Sequence, residues 1–443
     1  MSLRIFWGFF ALVAAVALSW GWSIGRQPVP PRPADQTATV SPAWYEALPL
    51  DPDAATAAYL ERIPADMQER GERFSDTRMI VFALRILDLV IATLLIHLGR
   101  LPRQTRDLLG RLSAPGILVD ATVALLYFVA LYALSLPVEI YATFARQHQF
   151  GFSDQPFTSW LADNLIEWAV FTAFYTVGVV AIYRIIRHRP TQWVAWATGI
   201  FLVLRATYTF LSPGVIEPMT NSFQPLAESP QKQAILALAN ANGIDDVAVV
   251  TGDASQQTRL LNAHVSGFGG SARISVDDTT LRSTSDPMLR AVVGHEIGHF
   301  VMGHQVQSMF TDTALVAIGF ALIALAARAA ASTRAGRWRV PELGDIASLP
   351  LFWGMYLLWG FASLPLSNAI SREFERQADL YGLNASQAPH GLAEFMIHDA
   401  DAVRLRPTAM EYALFYTHPS SAERVKAAMQ WRAASERLMH PPR

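Results

Sequence analysis

The residues with the clearest chemical potential are His295, Glu296 and His299, which form the spacing His-Glu-x-x-His. On a helix, residues four apart project from the same face, so both imidazoles could bind one metal ion. Glu296 would face the open side of that ion, where a carboxylate can take a proton from a bound water. The spacing predicts half of a catalytic zinc site, although two histidines and a glutamate also reach it by chance.

The sequence around this motif favours a helix, as such a site requires. Asp286-Pro287 predicts an N-cap followed by a proline in the first turn. Apolar residues follow at helical spacing: Leu289, Val292, Val293, Ile297 and Phe300.

A second group of charged residues follows about eighty positions later, in the segment 371–379, which also has helical spacing. Two histidines leave a tetrahedral zinc ion one protein ligand short, and a carboxylate from another helix is a common third. Glu375 is the predicted ligand, and Asp379, one turn on, is placed to accept a hydrogen bond from a zinc-bound histidine. The alternative is an ordinary amphipathic helix, with ion pairs that also involve Arg372 and Arg376.

Together the two segments resemble the type I CAAX prenyl protease family of membrane-embedded zinc metalloproteases. The family's His-Glu-x-Gly-His and its later Arg-x-Phe-Glu-x-Gln-Ala-Asp are both met residue for residue. Further matches occur in the family's order, at Leu136-Pro137, Tyr141, Thr143-Phe144, His148, Phe150-Gly151-Phe152, Trp160, Ile216, Pro218, Phe223, Pro225-Leu226, Ser255, Asn262-Ala263, Gly267, His418-Pro419 and Glu423-Arg424. Ser420-Ser421-Ala422 departs from the pattern, because the family more often has a second proline and larger apolar residues there.

The resemblance implies a role for each matching site residue. It implies one zinc ion per chain, held by His295, His299 and Glu375, with Asp379 behind them. It implies catalytic roles for Glu296 as general base, His418 as stabiliser of the oxyanion, and Arg424 near the site. It also implies that an extended substrate lies along an edge strand at Asn262 and Ala263.

Composition independently favours a membrane protein, since hydrophobic residues make up 52% of the chain and charged residues 16%. About seven apolar stretches are long enough to cross a bilayer: Ile5–Trp22, Met79–Leu98, Ile117–Leu136, Leu165–Ile186, Trp193–Leu211, Ala314–Ala331 and Leu349–Leu366. The first could instead be a cleaved signal peptide, but it lacks a clean small-x-small cleavage site, which favours a retained helix.

The predicted fold is a multi-pass α-helical membrane protein with an inserted small α+β zincin-like metalloprotease domain. Asp246–Val250 and Arg273–Val276 are its predicted strands. We divide the chain into four parts: five membrane helices and a helical loop at about 24–76 within 1–212, the strands and zinc helix in 213–310, two membrane helices in 311–367, and a helical catalytic part in 368–443.

Several ionisable residues fall inside or beside the predicted spans, where hydrocarbon would make them costly. They are Arg85, Asp88, Asp120, Glu139, Glu167 and Arg205. Arg85 and Asp88 could neutralise each other, or such groups could line a hydrated chamber, which the resemblance also implies.

The side of the membrane that the site faces is left open. The positive-inside rule predicts that three arginine-rich connections lie in the cytosol: Arg100–Arg111, Arg184–Arg189 and Arg328–Arg339. Both metal motifs then lie outside the cytosol, whereas the resemblance implies a cytosolic catalytic face.

The predicted partners are a peptide or protein substrate and the lipid bilayer, in the plasma membrane of a bacterium. The formal charge of −2 and the lack of a basic tract argue against nucleic acid, and the absence of cysteine excludes disulfides and thiolate metal sites. The alternative to a protease is an inactive polytopic scaffold or transporter with a structural metal site. The natural substrate, its prenylation and the oligomeric state do not follow from the sequence.

Overall fold

Helices dominate the computed structural model, which describes residues 40–267, 272–332 and 342–439. The α-helices are α1 Pro42–Glu46, α2 Pro52–Glu61, α3 Ala65–Gly99, α4 Leu101–Arg111, α5 Gly116–Glu139, α6 Arg146–Gln149, α7 Phe157–His188, α8 Trp193–Leu211, α9 Pro230–Ala241, α10 Asp278–Ser283, α11 Asp286–Val301, α12 His304–Ser332, α13 Leu349–Ser386, α14 Pro389–His398, α15 Ala409–Phe415 and α16 Ser421–Met439. The turn Ile140–Ala145, which is π-helical, joins α5 to α6.

Six helical stretches in the described residues are long and apolar enough to cross a membrane. They are Ala65–Arg111, Gly116–Gln149, Phe157–His188, Trp193–Met219, His304–Ala330 and Ile346–Ser386. Apolar side chains on their outer faces are exposed, as a lipid-facing surface requires; Leu87 is 55% exposed and Val203 is 64% exposed. Six of the seven predicted spans correspond to these stretches, and the predicted span Ile5–Trp22 lies outside the described residues.

A small mixed sheet follows the fourth span, formed by β1 Phe223–Pro225, β2 Ala248–Gly252, β3 Ala263–Ser266 and β4 Arg273–Asp277. The strand order is β1-β2-β4-β3, so β3 is an edge strand. β2 and β4 pair in parallel, with Val250 opposite Ser275, whereas β3 pairs antiparallel to β4, with Val265 opposite Ile274. The membrane helices and this inserted sheet are the predicted fold.

Helix α11 lies between the sheet and the C-terminal helices. Its Leu289, Val293 and Ile297 are buried in one apolar cluster with residues of β2 and β4. On its other side, Ala291 belongs to a cluster formed by α2, α14 and α16. Because apolar residues hold α11 on both sides, the histidines on the same helix are held in fixed positions.

Three local predictions need correction. The N-cap of α11 is Ser285, not Asp286, and Pro287 occupies the first turn as predicted. The strand β2 begins at Ala248 instead of Asp246, because Asp246 has a positive φ of 55°, which takes it out of the extended region.

Arg85 and Asp88 do not neutralise each other. Arg85 pairs with Glu139 at 3.0 Å, and Asp88 accepts a hydrogen bond of 2.6 Å from Ser135. Both partners lie on α5, so these polar side chains join neighbouring helices instead of neighbouring turns of α3.

Candidate active site

The candidate site forms where α11 crosses α13, and small residues allow that crossing. A Cβ atom on Gly382 would lie 2.7 Å from the backbone nitrogen of His295. A Cβ on Gly298 would lie 3.2 Å from Cα of Ala378. Since no side chain separates the two backbones, the imidazoles of α11 reach the carboxylates of α13 directly.

Three predicted ligands come together at this crossing. One ligand atom from each of His295, His299 and Glu375 lies within 4.8 Å of the others. Nε2 of His295 is 3.1 Å from Nε2 of His299 and 3.2 Å from Oε2 of Glu375. Nε2 of His299 is 3.5 Å from Oε1 of the same carboxylate. Arg372 donates to the carbonyls of Tyr412 and Tyr416, and Arg376 pairs with Glu373. Neither arginine therefore takes up Glu375 or Asp379 in the intrahelical ion pairs that the alternative requires.

Asp379 fixes the tautomer of His295. Its Oδ1 lies 2.8 Å from Nδ1 of His295, and an ionised carboxylate can only accept, so the proton is on Nδ1. The lone pair is therefore on Nε2, which points toward His299 and Glu375. Arg424 donates to both oxygens of Asp379, from Nε at 2.8 Å and from Nη2 at 2.5 Å. Arg424 therefore lies on the Nδ1 side of the His295 ring, away from the ligand atom Nε2.

A second chain of hydrogen bonds, absent from the sequence-based prediction, fixes the tautomer of His299. The amide nitrogen of Gln377 donates to Glu373 at 3.1 Å, which turns its oxygen toward Nε2 of His304 at 3.2 Å. His304 therefore carries its proton on Nε2 and accepts, through Nδ1, from Nδ1 of His299 at 2.9 Å. This leaves the lone pair of His299 on Nε2. The sequence feature that could have indicated this contact is a third histidine, His304, five residues after His299.

These donor groups fit a metal cation. Two imidazole lone pairs and one carboxylate face the same point, and three acceptors repel one another unless a positive charge lies between them. Oε2 of Glu375 is buried, and its nearest polar neighbours are Nε2 of His418 at 3.1 Å and Nε2 of His295 at 3.2 Å. Burial lowers the pKa of His295, but the hydrogen bonds that this imidazole donates to the carboxylates of Asp379 and Glu375 outweigh burial and raise that pKa to about 9. An environment that favours a proton at this position also favours a metal ion.

Glu296 and His418 lie beside this point. Burial raises the pKa of the Glu296 carboxyl, opposed by the charges of His295 and His299, so this carboxylate takes up a proton more readily than an exposed one. Nε2 of His418 is 3.1 Å from Oε2 of Glu375, and its Nδ1 is 2.9 Å from Oγ1 of Thr417. The surrounding protein lowers the pKa of His418, although 51% of its side chain is exposed, so its imidazole is neutral near pH 7.

The predicted substrate strand is at the edge of the sheet. Ala263 opens β3, which contacts α11 on the side of the motif. Asn262 comes just before it, with its backbone nitrogen bound to Oγ1 of Thr280 and its carbonyl accepting from the same hydroxyl. These contacts fix the start of the strand and leave its outer edge to pair with another chain.

Comparisons with known proteins agree with this architecture. A family model described as CAAX prenyl protease N-terminal, five membrane helices, matches residues 71–222, and one described as peptidase family M48 matches residues 226–432. The uncharacterized metalloprotease YhfN of Bacillus subtilis is 27% identical over 289 residues, which is 65% of this chain and 68% of that protein. CAAX prenyl protease 1 of Saccharomyces cerevisiae is 27% identical over 355 residues, covering 75% of this chain and 73% of the yeast protein.

A solved structure shares the fold. The crystal structure of S. mikatae Ste24p superposes with a TM-score of 0.67 at 19% identity, covering 96% of this chain and 97% of that one. The two family models meet between residues 222 and 226 and together span the membrane helices, the sheet and the candidate site. This chain therefore belongs to the M48 peptidases, within the type I CAAX prenyl protease family of integral-membrane metalloproteases.

Proposed function

We propose that this protein is a zinc-dependent endopeptidase with one zinc ion, held by His295, His299 and Glu375. The observation that carries the proposal is the convergence of two imidazole lone pairs and a carboxylate, each with its orientation fixed by a separate partner. Two histidines and one carboxylate are the ligands of many catalytic zinc sites, which keep a fourth position open. When bound, zinc polarises a peptide carbonyl and makes water acidic enough to ionise near neutral pH.

Glu296 is the proposed general base. It takes a proton from the attacking water and delivers it to the leaving amine, and the raised pKa of its buried carboxyl suits both transfers. His418 is the proposed donor to the developing oxyanion. Its Nε2 lies 3.1 Å from the carboxylate of Glu375, which can only accept, so this nitrogen carries the proton. Such a donor typically contributes about 10²- to 10³-fold to turnover.

Four residues have proposed positioning roles instead. Asp379 and Arg424 hold the ring of His295, and His304 and Gln377 hold the ring of His299. Both sets include residues of α13, the helix that supplies Glu375. One helix therefore supplies a ligand and orients the other two.

An extended substrate peptide would pair with the outer edge of β3, beginning at Asn262 and Ala263. Strand addition satisfies the backbone groups of the peptide without regard to its side chains. The contact between β3 and α11 supports this placement, because a peptide on that edge lies beside the zinc helix.

The proposed substrates are peptides or proteins at a membrane surface, either prenylated C-termini or membrane-associated and misfolded proteins. The CAAX prenyl protease name of several relatives supports the first class, and the similarity to a Bacillus subtilis metalloprotease supports a bacterial plasma membrane as the location. Both classes use the same site chemistry.

The test is hydrolysis of an internally quenched peptide by the detergent-purified protein. Glu296→Gln should lower turnover by about 10²- to 10⁴-fold while zinc stays bound, since the ligands are unchanged. His299→Ala should lose the zinc itself. Chelator treatment should abolish cleavage, and added zinc should restore it. If a preparation with stoichiometric zinc cleaves neither this peptide nor one with a prenylated cysteine near its C-terminus, the inactive scaffold or transporter is indicated instead.

A further inference from the structure

A cavity of about 760 Å³ adjoins the candidate active site. His418 and Arg424 are in its wall on the side of the site, and residues of α3, α6 and α13 complete the wall. The volume lies within the range of pockets that bind small ligands or short peptides. Three further arginines, Arg78, Arg85 and Arg146, also line it.

Arg146 is buried, with 6% of its surface exposed. Its Nε donates to Oγ1 of Thr77 at 2.5 Å, and its Nη2 donates to the carbonyl of Phe74 at 2.9 Å. Its Cζ lies 3.6 Å from the centroid of the Phe74 ring. Within the described ranges, these neutral contacts are its recorded partners, and no carboxylate pairs with it.

Arg78 has a similar environment. Its Nη2 donates to the carbonyl of Ala402 at 3.2 Å, and its Cζ lies 5.7 Å from the Phe74 ring and 5.9 Å from the Tyr416 ring. No carboxylate among residues 40–267, 272–332 and 342–439 forms an ion pair with this guanidinium either. The charge of Glu411 acts on it, but that carboxylate is paired with Arg404 at 2.6 Å.

The other charged groups of the cavity are already engaged. Arg85 pairs with Glu139, and Arg424 pairs with Asp379. Asp399, the acidic residue in the cavity wall, accepts from the backbone nitrogen of Leu261 at 3.2 Å and lies 3.1 Å from Nδ1 of His398. Arg78 and Arg146 are thus two cations in the wall of one cavity, and none of these other charged groups pairs with either of them.

A guanidinium stays charged at every physiological pH, so burial cannot neutralise it. Buried and half-buried charges without a partner are costly, and ionisable groups in helices that could span a membrane are candidates for functional sites; both arginines lie in such helices. Hydrogen bonds to Thr77 and two carbonyls hold both side chains in place but leave their positive charge uncompensated. An anionic ligand in the cavity would compensate it.

We propose that Arg78 and Arg146 bind the C-terminal carboxylate of the peptide substrate. The proposal rests on the peptidase function proposed above. A terminal carboxylate is the one anion that peptides of every sequence carry, and its planar geometry suits paired hydrogen bonds from arginine. The cavity connects the wall at His418, beside the scissile bond, with the two arginines. The enzyme would therefore favour cleavage near a free C-terminus.

The experiment compares two internally quenched peptides of one sequence, ending in a free carboxylate or in an amide. The wild-type enzyme should cleave the acid with a kcat/KM about 10- to 100-fold higher, the range expected for hydrogen bonds to a charged group. Arg78→Gln and Arg146→Gln should each lower kcat/KM for the acid toward the value for the amide. Cleavage of the amide should not change, which also shows that each variant is folded.

Arg85→Gln is the matched control. Arg85 lines the same cavity but pairs with Glu139, so this variant should keep the preference for the acid. Should Arg146→Gln fail to fold because its bonds to Thr77 and Phe74 are lost, Arg78→Gln decides alone, since Arg78 makes a single such bond.

Equal kcat/KM for acid and amide in the wild type, with both cleavages abolished by chelator, would overturn the carboxylate site and leave the peptidase function standing. A preference for the acid that survives in Arg78→Gln would also overturn it. Equally fast cleavage of an amide whose only carboxylate is a C-terminal glutamate side chain would refute the terminal assignment. If neither peptide is cleaved, both proposals fail. If Arg78→Gln instead lowers the amount of phosphatidylglycerol that the detergent-purified protein retains, with the peptides cleaved equally, the anion is a lipid phosphate.

Discussion

His295 and His299 face the same point but are held by different chemistry. A charged pair, Asp379 and Arg424, orients the first. A neutral imidazole, His304, orients the second and is itself held by Gln377. A carboxylate behind an imidazole increases its basicity more than a neutral acceptor does. We therefore expect His295 to donate the stronger bond to the metal and His299 to depend on His304 chiefly for its orientation.

That orientation can be tested at His304. Replacing it with leucine removes the acceptor for Nδ1 of His299, so the ring can turn or exchange tautomer, and zinc affinity should fall about 10- to 100-fold. His304→Asn should retain most of the affinity, because an amide oxygen can take the place of Nδ1. Competition with a chelator of known affinity measures both variants. Wild-type affinity in His304→Leu would show that His304 only fills space beside Phe374, on which its ring stacks at 4.8 Å.

The sequence predicted the residues of the site unevenly. His295, Glu296 and His299 follow from local spacing on one helix, which needs no knowledge of the rest of the fold. Glu375 was predicted from its helical segment and from the ligand that zinc still lacked, but its neighbouring arginines left ordinary ion pairs as an alternative, against which the resemblance counted. The hydrogen bond between His304 and Gln377, and the shared cavity wall of Arg78 and Arg146, arise where distant segments of the chain meet. The spacing of residues along the sequence does not reveal such contacts.

Among the elements, the crossing of α11 and α13 sets the geometry of the site. Glycines and an alanine line it on both helices: Gly294, Gly298, Ala378 and Gly382. Small residues let backbones approach closely, at the loss of the helix stability that larger residues give. Here the close approach brings a carboxylate of one helix within 3.5 Å of both imidazoles of the other.

Gly382→Ala should therefore disturb the site without touching a ligand. The added Cβ would lie 2.7 Å from the nitrogen of His295, a contact that the backbone must relieve by separating the helices. We expect a loss of about 1–3 kcal/mol of stability and weaker zinc binding. Thermal unfolding in detergent and chelator competition measure the two effects. Gly360→Ala, in the same helix with open space around its Cβ position, should lower neither, and an equal loss in the two variants would contradict the account.

Element boundaries were predicted less well than element types, because they depend on single residues. The departure from the family at Ser420-Ser421-Ala422 shows one such case. Ser420 forms a capping box at the start of α16: its nitrogen donates to Oε2 of Glu423 at 2.8 Å, and its hydroxyl accepts from the nitrogen of Glu423 at 3.3 Å. The helix bearing Arg424 thus starts in a defined place without the second proline.

At the scale of the whole molecule, two of the arginine-rich connections, Arg100–Arg111 and Arg184–Arg189, lie at one end of the bundle; the third, Arg328–Arg339, falls largely outside the described residues. Arg106, on α4, forms an ion pair with Asp345, which precedes α13. Arg187, at the end of α7, donates to the carbonyl of Gly344 at 3.1 Å. The first turns of α3 instead pack against residues 400–403, near the candidate site. Since α3 runs from that end to the arginine-rich end, the two ends lie on opposite sides of the membrane.

Under the positive-inside rule, the arginine-rich end is cytosolic and the candidate site faces away from the cytosol. The chain contains no cysteine, so single cysteines can report which end is exposed. Ser113→Cys places a thiol between α4 and α5, and Ser283→Cys places one at the end of α10, beside the sheet; both serines are exposed. In intact cells, a membrane-impermeant maleimide should label Ser283→Cys alone, and both should react after lysis. Labelling of Ser113→Cys alone would reverse the orientation and put the site in the cytosol. The arginine-rich end would then lie outside the cytosol, contrary to the positive-inside rule.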